Sequence, residues 1–371
     1  MKQYLGALAL AAAMMSIGAP AAAQLLVGQT SGFTGPAAAG VKENTDGAKL
    51  YLDWVNAQGG VHGQPIQLVS LDDKFEPQLS AENAKKLIVE KNVLALFLGR
   101  GTPNAQAVLP LLNEHRVPMI APSTGAMALH KPLQPYVFNV RATYQREAER
   151  TIRHLSLVSV DRIAVLQADD SFGADAVQGA MAGFDAIGKK PVMLAKFDRS
   201  KPDFSTLAPK VATSGAQAVL FIGSSSAVAE GTMALRNAGS AAQVVTLSNN
   251  AASGFIKMMG VNGRGTIVSQ VFPYERSIAS PIVKEALELA RARKLDGISP
   301  AMMEGFAAAK VLVEGLRRAG PAPTRERLVA ALNGLTRYDM GGMEISYSAT
   351  DHTGLDFADL SIIGNDGKFR R

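Results

Sequence analysis

Hydroxyl, amide and glycine residues gather in six short stretches, each just after an apolar run. Three lie early in the chain: Gln29-Thr30-Ser31-Gly32-Phe33-Thr34-Gly35, Gly99-Arg100-Gly101-Thr102-Pro103-Asn104 and Pro122-Ser123-Thr124-Gly125. Three lie in its middle: Asp169-Asp170-Ser171-Phe172-Gly173, Gly223-Ser224-Ser225-Ser226 and Ser248-Asn249-Asn250. The chemistry such residues offer is non-covalent. Ser and Thr hydroxyls and the free N–H groups of helix starts donate hydrogen bonds that suit a carboxylate or another anionic oxygen. Phe33 and Phe172 could supply apolar walls, and Arg100 either faces a cleft to pair with a second anionic group or stands as a rim charge. Any single stretch also reads as an ordinary turn before a helix, with capping residues. Two sets of three are what a cleft between facing lobes requires.

Reactive constellations do not emerge. The five histidines (His62, His115, His130, His154, His352) are far apart, with no pair at helical spacing and no HExxH. Neither a GxSxG elbow nor a P-loop is present, and Gly260, Gly263 and Gly265 have the wrong spacing for a dinucleotide fingerprint and are expected to form a turn. With 0 cysteines, disulfides, a catalytic thiol and Cys-ligated zinc are excluded. No catalysis, cofactor or metal is expected. An exported hydrolase stays as a remote rival, which turnover of a trapped ligand would revive. The net charge is +6, but basic residues fall in scattered pairs such as Lys85-Lys86, Lys189-Lys190, Arg317-Arg318 and Arg370-Arg371. Without a basic run, no nucleic-acid partner is expected.

The loops need elements to hold them. Strands are expected at 25–29, 66–71, 93–98 and 117–121, alternating with helices at 36–58, 77–91 and 103–115, each helix opening on Pro at a position that needs no N–H donor. The rhythm restarts with strands at 162–167, 192–197, 218–222 and 244–247 and helices at 172–187, 204–213 and 227–238. Alternation of this kind predicts an α/β fold with parallel sheets covered by helices on both faces. In open α/β sheets, ligands bind outside the carboxyl ends of the strands, where all six stretches fall. A strand at 266–271, helices at 281–293, 300–318 and 324–333, and a final pair of strands at 343–347 and 357–363 complete the pattern. The Asp72-Asp73 and Asp169-Asp170 pairs each follow a strand and precede a helix, which suits capping. No flexible linker separates the halves, so the chain should cross between two lobes more than once.

The N-terminus reads as an export signal. Lys2 precedes the apolar run Tyr4–Ile17, too short for a span of ~20 residues, and Ala21-Ala22-Ala23 supplies a small-residue cleavage site before Gln24. An exported chain with no cysteine to carry a lipid is expected in a periplasm, without stable membrane insertion. From Gln24 onward the length suits two domains at ~100–200 residues each.

Several segments then resemble the leucine/isoleucine/valine-binding protein family, the type I periplasmic solute-binding proteins of ABC transporters. They are 96–105 (LFLGRGTPNA), 116–125 (RVPMIAPSTG) and 136–141 (YVFNVR), with 27–35 (VGQTSGFTG), 56–63 (NAQGGVHG) and the region 342–356. The resemblance spans essentially the whole chain after the signal. It implies two Rossmann-like lobes joined by a three-strand hinge, with crossovers near 140–143, 271–274 and 339–345. The first lobe would then comprise 24–141 with 274–340, and the second 142–273 with 341–371. It also implies an amino acid or related carboxylate as ligand and an ABC permease as partner, with a sensor feeding a signalling receptor as the alternative. By position, Thr102 would be a ligand-binding hydroxyl, and Ser123, Thr124 and Gly125 the loop whose backbone holds the carboxylate. Phe172 would cover the ligand, and Ser225 and Asn249 would lie on the second-lobe contact loops. Two departures stand out. Asn249 is neutral where amino-acid binders of the family commonly place an acid for the ammonium, and Ser225 replaces a frequent aromatic. A buried ammonium without an acid is costly, so Glu304 or Asp170 would have to serve, or the ligand has no ammonium.

Overall fold

The computed structural model describes residues 24–371; the export signal expected at 1–23 lies outside the described residues. The first half runs β1 (Leu25–Ser31), α1 (Ala38–Ala57), β2 (Ile66–Asp72), α2 (Pro77–Lys85, continued by one wider turn at Lys86–Glu90), β3 (Ala95–Phe97), α3 (Thr102–His115), β4 (Met119–Ile120) and β5 (Val137–Phe138). Its five strands lie in the order β2-β1-β3-β4-β5, with every pairing parallel. β3 shows how the pleat divides the core: Ala95 and Phe97 face one cluster, while Leu96 faces a second beneath α2 and α3.

The chain continues through α4 (Tyr144–Leu157), β6 (Ile163–Ala168), α5 (Ser171–Ala186), β7 (Met193–Phe197), α6 (Leu207–Thr213), β8 (Ala218–Ile222), α7 (Ser225–Asn237), β9 (Gln243–Thr246), α8 (Ser253–Met259) and β10 (Ile267–Gln270). Then come α9 (Pro281–Ala292), α10 (Pro300–Ala319), α11 (Arg325–Asn333), β11 (Tyr338–Asp339), β12 (Glu344–Ile345), β13 (Asp359–Ile363) and β14 (Phe369–Arg370). The second sheet has the order β14-β13-β10-β9-β8-β6-β7, parallel from β10 to β7. Its strands β6 and β8 are buried at every position and apolar throughout except for Gln167, as strands covered on both faces must largely be.

Two expectations about elements are corrected. The strands at the chain's end do not pair with each other. β12 pairs with β11 in a small hairpin, whereas β13 adds antiparallel to β10. α4 was missing from the sequence reading because charged residues fill its exposed face. Its buried Ala148, Thr151, Ile152 and Leu155 nevertheless carry the spacing of an amphipathic helix.

α9, α10 and α11 return to the first sheet, where Phe306, Val311 and Leu312 join the core of β1 and β3. Contact between α1 and α10 is so close that a Cβ on Gly305 would lie 1.8 Å from the Asn44 carbonyl oxygen. Val271, Phe272, Met343, Ile345 and Tyr347 also belong to this core, and Leu355 and Phe357 pack against it. The chain therefore leaves the first core for the last time between Phe357 and Asp359, later than the stretch near 339–345 that the resemblance implies. Among the described residues no helix is long and apolar enough to cross a membrane.

Candidate functional site

Parallel pairing puts the carboxyl ends of β1 to β5 on one edge and those of β6 to β10 on another, and the two edges face each other across a cavity. Ala37, Phe75, Arg100, Gly101 and Thr102 line it from the first half, and Tyr144, Phe172, Arg199, Ser224, Ser225 and Asn249 from the second. An outer groove containing Asp169, Asp198 and Glu230 opens beside it and shares only Phe75 and Arg199 with the inner cavity.

The first wall is set by the turns after β2 and β3. Asp73 is fully buried at the end of β2 and accepts hydrogen bonds from Thr30 Oγ1 at 3.0 Å, Ser80 Oγ at 2.7 Å and the Phe75 amide at 2.9 Å. Burial raises the Asp73 pKa, and those three donors work against that rise. The turn they hold swings Phe75 into the cavity with φ at +66°. After β3, Gly101 takes φ +105°, a conformation open to glycine, and starts α3. Thr102, the first residue of α3, shares a 2.7 Å hydrogen bond with Thr124.

On the second wall, Asp170 caps α5 by accepting from the amides of Phe172 and Gly173, both at 3.0 Å, and pairs with Arg199 at 2.6 Å. The Arg199 guanidinium lies 4.9 Å from the Phe75 ring centre and 5.8 Å from that of Phe172, so it bridges the two walls. Phe172 meets Tyr144 edge-on at 4.8 Å. Ser225 Oγ donates to Asn250 Oδ1 at 2.9 Å, and Asn249 Nδ2 to the Gly223 carbonyl at 2.9 Å. Asn249 Oδ1 is buried and accepts nothing among the described residues.

Beneath the cavity lies a buried ionic cluster. Arg141 bonds Glu147 and, at 2.7 Å, Ser248 Oγ, with Glu304 Oε2 at 3.7 Å from its Nη1. Glu147 in turn accepts from the Ser248 amide at 2.9 Å and from Ser269 Oγ. Burial opposes the Arg141 charge, but Glu147 and Glu304 outweigh it and raise its pKa.

Five of the residues expected from the sequence meet in the cavity: Arg100, Thr102, Phe172, Ser225 and Asn249. Thr124 sits behind Thr102. Four do not line it. Phe33 follows β1 but does not reach the cavity, and Phe75 takes the place expected of it. Ser123 is held by Asn44 and Glu304, both at 2.7 Å, and the Gly125 carbonyl accepts the Tyr144 amide at 2.8 Å, so this loop joins the two halves behind the cavity. Glu304 is committed to Ser123 and Arg141, and Asp170 to α5 and Arg199, so neither is a free partner for an ammonium. Phe75, Tyr144 and Arg199 were missed, although Phe75 and Arg199 follow the carboxyl ends of β2 and β7, the positions where open sheets carry their ligand contacts.

A two-lobed α/β architecture with a cavity walled by both strand edges defines a small-molecule binding protein. The periplasmic binding protein family model matches residues 24–358, and the chain belongs to this family, in its leucine/isoleucine/valine-binding branch. Among curated proteins it is similar to Leu/Ile/Val-binding protein homolog 3 of Brucella melitensis biotype 1, 24% identical over 345 residues and 91% of each chain. Among solved structures it is similar to a substrate-binding periplasmic protein of Ralstonia solanacearum, with TM-score 0.85 and 30% identity over 93% of this chain and 99% of that one. It shares the fold of a branched-chain amino acid ABC transporter protein of Thermus thermophilus solved with bound valine. That match has TM-score 0.82 and 18% identity over 94% of this chain and 95% of the other.

Proposed function

We propose that the chain is the periplasmic solute-binding protein of an ABC importer, capturing an amino acid or related carboxylate between its two lobes without converting it. The observation that carries this reading is the cavity, whose walls come from both halves and bring together two helix starts (α3 and α7), hydroxyls and three aromatic rings. The lobes are 24–141 with 274–340, and 142–273 with 341–371, except that Val271, Phe272 and the stretch to Phe357 pack on the first core and travel with it. Thr102 and Arg100 hold the ligand first, and Phe172, Ser225 and Asn249 complete the shell on closure. Ligand favours closure only through contacts made in the closed form alone. A membrane permease then recognises the closed shape. Membership of a periplasmic binding family and the export signal expected at 1–23 support the periplasmic location.

The test is mass spectrometry of compounds that co-purify with the protein, together with a thermal-shift screen of amino acids, aromatic acids and dicarboxylates. A ligand present at 100 times its Kd stabilises by about 2.7 kcal/mol through mass action. Thr102→Ala and Asn249→Ala are expected to shrink that shift without unfolding the protein. An unchanged shift in both variants would remove this site from consideration.

A further inference from the structure

Arg100 is 6% exposed, yet its one hydrogen bond among the described residues runs to the backbone carbonyl of Asn249, across the cavity. Burial lowers its pKa, but a guanidinium stays charged throughout the physiological range. No carboxylate lies within ion-pair distance of it among the described residues, and none lines the cavity. The neighbouring acids are all engaged. Asp170 answers Arg199, Glu147 and Glu304 answer Arg141, and Glu43 accepts from the amides of Ser253 and Gly254 at 2.9 and 2.8 Å. The acids of the outer groove lie beyond Phe75 and Arg199. No carboxylate lines the inner cavity, so Arg100 is answered only at longer range, by Glu304 and Glu43, and an ammonium placed there would find no acid to pair with.

Two further polar atoms refine the fit. The buried side-chain Oδ1 of Asn249, the residue whose backbone carbonyl Arg100 touches, accepts nothing among the described residues, so it calls for an O–H or N–H on the ligand. The Tyr144 hydroxyl lines the cavity and makes no hydrogen bond among the described residues, leaving a donor for an anionic oxygen. Phe75, Tyr144 and Phe172 also line the cavity.

Building on the binding-protein reading, we infer that the ligand is a 2-hydroxy carboxylate with an apolar or aromatic body rather than the corresponding 2-amino acid. Its carboxylate pairs with Arg100 and Tyr144, its hydroxyl donates to Asn249 Oδ1, and its body lies among the three rings.

Matched pairs test this: phenyllactate against phenylalanine, and 2-hydroxy-4-methylpentanoate against leucine, titrated calorimetrically into the protein after unfolding and refolding to strip bound compounds. At least one hydroxy acid is expected to bind 10-fold or more tightly than its amino counterpart. Arg100→Met is expected to weaken that hydroxy acid on the order of 100-fold, with Arg100→Lys recovering part of the loss and both variants still folded by circular dichroism. Amino acids binding as tightly as the hydroxy acids would overturn the inference, as would an Arg100→Met protein of undiminished hydroxy-acid affinity. Binding of neither member of either pair overturns it too. The binding-protein reading then survives if mass spectrometry finds another small molecule on the protein, and falls with it if none is found.

Discussion

Charges taken out of water set the behaviour of this protein at the scale of single residues. Arg141 is sunk beneath the cavity with Glu147 and Glu304 around it, so its charge is answered from two directions. Glu275, on the passage between β10 and α9, has no such support. It is 3% exposed, its nearest cation is Arg276 at 3.8 Å, and burial pushes its pKa up to about 7. A folded-state pKa above the unfolded one means the native state holds its proton more tightly. The stabilisation is complete below about pH 4.5 and is lost as pH rises through about 7, at about 1.4 kcal/mol per unit of pKa difference. His130 acts in the opposite sense, because burial lowers its pKa to about 4, so stability falls as pH drops from 6.5 toward that value. Glu275→Gln should therefore flatten the decline of urea-unfolding free energy between pH 5 and 8. A slope equal to that of the parent protein would show that Glu275 is hydrated and ordinary in solution.

Among the elements, the α1–α10 contact decides how rigid the first wall is. Gly47 and Gly305 permit two long helices to touch backbone to backbone, since a Cβ on Gly47 would lie 2.0 Å from the Met302 carbonyl oxygen. α10 also carries Glu304 to Ser123, so this packing positions the loop behind Thr102. Gly305→Ala forces the helices apart and should destabilise the protein by about 1–3 kcal/mol, read as a lowered denaturation midpoint. An unchanged midpoint would mean the interface relaxes at no cost.

For the whole molecule, the relation between the two halves matters most. Besides the Arg100–Asn249 contact, Glu43 on α1 receives two amides at the start of α8, and Asp175 on α5 receives the Met127 amide at 3.0 Å. These contacts join the lobes at positions separated by more than 40 residues in the chain. At Gly254 the approach is close enough that a Cβ would come within 2.5 Å of the Ala39 Cβ. Gly254→Leu should therefore obstruct closure without entering either core. The expected result is ligand affinity reduced at least 10-fold with the ligand-free melting temperature retained, and loss of the contraction that small-angle scattering reads on ligand addition. Full affinity in this variant would argue against closure along this face.

Much of the fold was legible in the sequence because burial on both faces leaves a plain mark. β8 is a continuous apolar run and β6 one broken only by Gln167, and the helices across the chain open on capping or proline signals, so the α/β alternation and two sets of strand-end loops follow from local preference alone. Part of the cavity was legible for the same reason, since Arg100, Thr102, Phe172, Ser225 and Asn249 all follow strand ends. Other features needed the tertiary structure. Phe75 enters the cavity through a turn held by its neighbours Asp73 and Ser80 and by Thr30, which is distant in the chain, while Phe33 on an equally plausible loop stays out. Glu304 looked free until packing set it against Ser123 and Arg141, and the choice between a cleft-facing and a rim Arg100 was decided only by the second half closing over it. The physical reason is that alternation and capping are short-range, whereas whether a charge is answered or left bare depends on which distant groups the folded chain brings within a few ångströms of it.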